Sequence, residues 1–358
     1  MTQLIRAIID TSALQSNLRR IRARAAGAKV MAVVKANAYG HGLVPVALAL
    51  GEADAFAVAR LEEGLALREA GVKQTVILLE GIFSAAQLEE AARQRFEIVV
   101  HDAVQIALLE RFAGAHAFTL WLKIDTGMNR LGFRTEEFAP VLQRLHGLHV
   151  PAAEIRLMTH LARADERDCP MTREQLARFG ALTRGLRHVT SIGNSAGLLG
   201  WPGECGDWVR PGLALYGISP FAGESSDAQG LTPVMTLATT VIAVRQVPLG
   251  ESVGYGGAWI APRDSRIAIV AGGYGDGLLR SLSTGTPVLV NGRRAPLVGR
   301  VAMDMIAVDV SDLPEVGVGT RCVLWGRGLE VSEVAAQAGT IAYELLCGVR
   351  ARVPRELI

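Results

Sequence analysis

Lys35 closes the apolar run VMAVV (30–34) and is followed directly by ANAYGHG (36–42). Burial at the end of a strand disfavours the charged form of a lysine, and a neutral amine is what forming a Schiff base with a carbonyl requires. Tyr39, Gly40, His41 and Gly42 predict the opening of the next helix, where free backbone N–H groups and a phenol suit a phosphate. A strand-end lysine alone is ordinarily a snorkelling side chain, so the chemistry rests on the whole string. Other groups could join it. Lys123 and Arg130 lie in WLKIDTGMNRLGF, where a guanidinium fork suits a carboxylate. His160 ends MTH, Arg210 opens RPGLALYG, and Tyr255 stands among Gly254, Gly256 and Gly257, which leave its phenol approachable.

The elements that would position these groups follow from hydrophobic patterning. From about residue 11 to 230, eight short β-branched runs (KVMAVVKA, DAFAVA, TVILLE, FEIVVH, FTLWLKID, EIRLMTH, HVTSIGN, WVRPGLALYG) read as buried parallel strands. Between them, stretches such as Leu61–Ala70 and Arg173–Leu186 have the spacing of surface helices. Eight such units suit a (β/α)8 TIM-type barrel, whose functional groups belong at the C-terminal ends of the strands. Past about residue 231 the texture changes to LATTVIAVRQV, RIAIVAGG, TPVLVNG, MIAVDVS and TRCVLWG between Gly, Pro and Asp turns, predicting a β-strand-rich domain. The fold class expected is therefore α/β, a barrel over 11–230 and a β-rich domain over 231–358. The opening strand-like run within residues 1–10 is assigned to the second domain.

Composition narrows the partners. The 358 residues carry 37 Lys plus Arg against 35 Asp plus Glu, a formal +2 that offers no electrostatic footprint for nucleic acid. No uncharged run reaches the roughly 18 residues of a membrane span. Arg6 and Asp10 interrupt the start where a secretory signal would need an apolar core, and the four cysteines show no C-x-x-C spacing. A cytoplasmic protein with no metal site and a small metabolite as partner is expected.

AVVKANAYGHG closely resembles the segment that binds pyridoxal 5'-phosphate (PLP) in the alanine racemases, and the similarity runs from IDTSALQSNLRRIR to IAYELLCGVRARVPR. That resemblance implies interconversion of L- and D-alanine, for peptidoglycan or for D-alanine breakdown, in a head-to-tail homodimer with shared active sites. It assigns Lys35 as the cofactor lysine and Tyr39 and Tyr343 as phosphate-contacting tyrosines. By the same resemblance Asn194 and Ser195 of NSAG, with Gly212 and Leu213, would form the rest of the phosphate site, Arg210 would face the pyridine nitrogen, and His160 would meet both that arginine and the tyrosine base. Lys123 matches a carbamylated lysine that positions Arg130, which binds the cofactor phenolate and the substrate carboxylate. Tyr255 matches the second base, on the face of the substrate opposite Lys35. Tyr274, Met303 and Asp304 resemble groups that narrow the entrance and offer the carboxylate a backbone N–H. GYGDGLLR and Ala302 depart from the family's usual G-Y-A-D-G-Y-P-R and Ser or Cys, which bears on entrance shape.

Rival readings lack parts of this set. PLP decarboxylases on the same barrel set a carboxylate against the pyridine nitrogen and a cysteine opposite the lysine. PLP-carrying regulatory proteins end after the barrel. Broad-specificity racemases resemble secreted proteins with paired cysteines. GGYGDG does not satisfy G-x-G-x-x-G, so a nucleotide loop is not read there.

Overall fold

A computed structural model describes residues 4–149 and 152–358. Strand β1 (Arg6–Ile9) leads, and eight strands then form the barrel: β2 (Lys29–Val33), β3 (Ala55–Val58), β4 (Thr75–Leu78), β5 (Glu97–Val100), β6 (Phe118–Lys123), β7 (Ala152–Met158), β8 (Thr190–Asn194) and β9 (Trp208–Arg210). They are parallel, and β9 returns to β2 through Lys29 opposite Trp208 and Val30 opposite Val209, closing the ring. Near-continuous apolar runs such as AFAV in β3 and TVIL in β4 fit strands covered on both faces. All eight expected runs become strands, and the expected α/β class is what forms.

The surrounding helices start where the sequence places cap residues. Ser84 and Asp102 accept the Gln87 and Val104 backbone N–H groups at the starts of Ala85–Gln94 and Ala103–Glu110. The helix expected over Arg173–Leu186 instead spans Pro170–Thr183, because proline is favourable at the first helical position and Gly185 (φ +80°) turns the chain away.

The remaining strands are β10 (Met235–Val247), β11 (Ser252–Val253), β12 (Trp259–Ile260), β13 (Ser265–Ala271), β14 (Pro287–Val290), β15 (Arg293–Val298), β16 (Met305–Asp309), β17 (Arg321–Trp325) and β18 (Arg355–Leu357). Seven of them join β1 in an eight-stranded sheet of order β13-β16-β15-β14-β17-β10-β1-β18. β1 pairs antiparallel with β10 and parallel with β18, so residues 6–9 are part of this sheet; residues 1–3 of the assigned opening strand lie outside the described residues. Two short helices, Val331–Gln337 and Ala342–Gly348, pack against each other, and the second also packs against the segment Lys35–Tyr39. Asp10 joins the halves: it caps Thr11–Arg24 through Ala13 N–H at 2.9 Å and pairs with Arg327. Among the described residues no helix is long and apolar enough to cross a membrane.

Candidate active site

The C-terminal ends of the barrel strands open into one cavity of about 650 Å³. Lys35 lies just past β2, Lys123 ends β6, His160 follows β7, Asn194 ends β8 and Arg210 ends β9. Tyr39, Arg130, Ser195, Gly212 and Leu213 complete the barrel's share, and Tyr343 enters from the helix Ala342–Gly348. Eleven of the residues singled out in the sequence thus line a single site, of a size suited to a cofactor with a small substrate.

The path from Lys35 to Tyr39 is a left-handed turn, not the start of a helix. Ala36, Asn37, Ala38 and Tyr39 have φ of 54°, 55°, 53° and 51°, and the next helix begins at Leu43. Four L-residues in this conformation cost about 1–2 kcal/mol each, so the surroundings must hold them. Glu63 does so at one end, accepting the Ala36 N–H at 2.6 Å on one carboxylate oxygen and the Ala59 N–H at 2.9 Å on the other. Asn37 Oδ1 accepts the Leu43 N–H at 2.8 Å. Gly40, at φ +79°, lies against the Leu346 carbonyl, where a Cβ has no room. The turn folds Tyr39 inward, so Lys35 and the buried Tyr39 phenol serve the same cavity.

Tyr39 and its neighbours form an anion cradle. Ser195 Oγ accepts the Gly212 N–H at 3.0 Å and the Ala214 N–H at 3.2 Å, which orients the hydroxyl and leaves its O–H to donate. A side chain at 212 would occupy the position of the Tyr39 hydroxyl. Burial pushes both phenols up, Tyr343 to about 12, leaving them protonated donors at neutral pH. These donors suit a phosphate.

The same cavity also carries a cluster of cations. Arg210 is buried and donates to Ser191 Oγ (2.6 Å), Thr159 O (2.7 Å) and Ile192 O (3.2 Å), all neutral acceptors. Burial lowers its pKa only to about 10, so it keeps its charge. His160 Nδ1 lies 3.3 Å from Arg210 Nη2. Guanidinium can only donate, so Nδ1 accepts and the ring proton sits on Nε2. Burial, then the charges of Arg210, Lys123, Arg130 and Lys35, hold the imidazole well below its ordinary pKa and hence neutral. Together these cations fit a ligand carrying a phosphate, a phenolate oxygen and a carboxylate, as PLP with an amino acid does.

Lys123 shows the strain of that crowding. Burial, then Arg210, Arg130 and Lys35, lowers its pKa to about 8. Against an ordinary value of 10.5 this corresponds to on the order of 3 kcal/mol of destabilisation while the amine is protonated. The folded value lies below the unfolded one, so the penalty is full below about pH 8 and fades towards pH 10.5.

Tyr255, Tyr274, Met303 and Asp304 are not brought to this cavity. Tyr255 is 68% exposed and Met303 53% exposed, and both belong to the C-terminal domain. Tyr274 N–H bonds Ala302 O at 3.0 Å and Gly275 N–H bonds Met303 O at 2.9 Å, joining two of the loops. Arg352 locks that junction, donating to the Asp276 carboxylate at 2.7 and 2.9 Å and to Asp304 at 2.8 Å. Sequence reasoning missed Arg352 and Asp276. It also missed Met128, Leu131, Ile341 and Cys347 in the cavity wall, although these flank Arg130 and Tyr343 within the strings already singled out.

Comparison with known proteins agrees with this geometry. The alanine racemase N-terminal domain profile matches residues 9–220 and the C-terminal domain profile residues 234–357. An alanine racemase of Shewanella sediminis is 51% identical over 97% of each chain, and a catabolic alanine racemase of Pseudomonas aeruginosa is 50% identical over 98% of each. The crystal structure of a biosynthetic alanine racemase from Pseudomonas aeruginosa superposes with a TM-score of 0.97 at 45% identity, covering 100% of both chains. Barrel, β-rich domain and cavity residues together with this full-length similarity lead to one conclusion: the chain belongs to the alanine racemase family.

Proposed function

We propose that the chain interconverts L- and D-alanine with PLP held by Lys35, in a head-to-tail dimer whose partner subunit supplies Tyr255. The convergence of the Lys35 amine, the Tyr39–Ser195–Gly212 cradle and the carboxylate-free Arg210 in one cavity carries this reading. Bound PLP supplies a conjugated ring that acidifies the α-hydrogen of the amino acid. Arg210, a permanent cation, cannot hand the ring nitrogen a proton, which moderates that withdrawal and favours prompt return of the proton to Cα. Arg130 at the rim binds the substrate carboxylate with the backbone N–H of the partner subunit's Met303, while the partner subunit's Tyr274 and the partner subunit's Asp304 narrow the entrance.

Inversion requires a proton removed from one face of Cα and another delivered to the opposite face, hence two bases. Lys35 Nζ serves one face and Tyr255 Oη the other. His160, with its ring proton on Nε2, donates to that phenol and orients it. The exposure of Tyr255 and Met303, away from their own chain's cavity, supports their use by a two-fold partner. We divide the chain into a barrel unit, 11–230, and a β-rich unit, 231–358 with the opening strand. The four free thiols support a cytoplasmic setting.

The reaction is tested by incubating the holoenzyme with L- and D-amino acids in deuterated water. Alanine is expected to exchange its α-hydrogen and invert from either enantiomer. Exchange with loss of the carboxylate, or none with alanine, contradicts the reading.

Lys123 is proposed to be carbamylated. A pKa of about 8 leaves roughly a tenth of the amine neutral at pH 7, available to add to carbon dioxide with release of a proton. The resulting anion reverses the repulsion from Arg130 and orients it. Carbon-13 NMR after labelled bicarbonate is expected to show a carbamate signal that Lys123→Ala lacks. Its absence at pH 8 removes the modification from the account.

A further inference from the structure

His41 is fully buried, does not line the cavity, and has no part in the reaction as described. Its ring stacks on Tyr216, with centroids 4.5 Å apart and planes inclined by 29°. Nδ1 lies 3.0 Å from Ala38 O and 2.9 Å from Tyr39 O. Both partners are carbonyls, so Nδ1 carries the proton and donates. Nε2 is then a buried lone pair without a partner among the described residues, a cost that an apolar ring of the same shape would avoid. Burial pushes the pKa down to about 4, consistent with a neutral ring of fixed tautomer.

The two carbonyls end the left-handed turn that begins after Lys35. Ala38 O also receives the His41 backbone N–H at 3.0 Å, whereas Tyr39 O is held by the imidazole. The side chain thus fixes the peptide plane directly after Tyr39, as Glu63 fixes the one after Lys35.

We propose that His41 is a positioning residue: its Nδ1–H holds the last peptide of the left-handed turn, and so keeps the Tyr39 phenol in the anion cradle beside Lys35. The inference rests on the PLP reading above, and a merely packing role for the ring makes the opposite prediction. His41→Phe keeps a ring to stack on Tyr216 but removes the donor; His41→Asn removes the ring but keeps a donor near the Nδ1 position. PLP retention is measured on the holoenzymes by dialysis against inorganic phosphate, with thermal midpoints recorded alongside. His41→Phe is expected to lose PLP roughly ten-fold or more readily than wild type, and His41→Asn to stay within about three-fold. The reverse order, equal retention by all three, or equal loss by both variants overturns the proposal. Should His41→Phe fail to fold, His41→Gln, whose amide reaches the Nε2 position, replaces it: loss of PLP is expected, and retention like that of His41→Asn overturns the proposal. A wild-type protein that holds no PLP refutes the cofactor reading instead.

Discussion

Lys35→Ala is expected to lower racemisation of alanine by roughly 10⁴-fold or more, because one substitution removes both the covalent anchor of PLP and one of two bases. Borohydride treatment of the wild-type holoenzyme should fix a pyridoxyl group on the peptide containing Lys35, and the variant should incorporate none. The cradle of Tyr39, Ser195 and Gly212 does not depend on the amine, so the variant should still bind PLP reversibly. Thermal stability should change little, since the side chain lies just past β2 and is not among the buried core residues. A borohydride-stable adduct on another lysine, at wild-type activity, removes Lys35 from the account.

Tyr255→Phe is expected to reduce racemisation by about 10²–10⁴-fold, the usual contribution of one general base. The residual chemistry should be one-sided. With Lys35 intact on one face, one enantiomer of alanine should still exchange its α-hydrogen with deuterated solvent and keep its configuration, while the other should exchange slowly. Phenylalanine preserves the ring, and Tyr255 is 68% exposed in its own chain, so folding should not be the cause. Racemisation at the wild-type rate contradicts a role for this phenol.

Much of this is legible in the amino-acid sequence itself. The barrel strands read clearly because β-branched runs such as TVIL and EIVV have no competing helical period, and the Ser84 and Asp102 caps mark where helices begin. The left-handed turn is not legible. Ala36, Ala38 and Tyr39 have ordinary right-handed preferences, which are overridden by bonds to Glu63 and His41 that only the tertiary fold creates. In the second domain, β15 contains Pro296 and begins with two arginines, and β18 has three residues, so neither carries a usable alternation. The helix bearing Tyr343 is seven residues long, too short to announce itself by period. Tyr255 illustrates a different gap: its string is visible, but within its own chain it does not line the cavity it would serve.

Mixing Lys35→Ala with Tyr255→Phe tests the shared site most directly. Each variant is nearly inactive by itself. After subunit exchange, random pairing gives half heterodimers, each with one site carrying both defects and one carrying neither. Activity should therefore recover to about a quarter of wild type. If Tyr255 serves its own subunit, every site keeps one defect, and no activity returns despite demonstrated exchange; that result would contradict the shared site while leaving family membership intact.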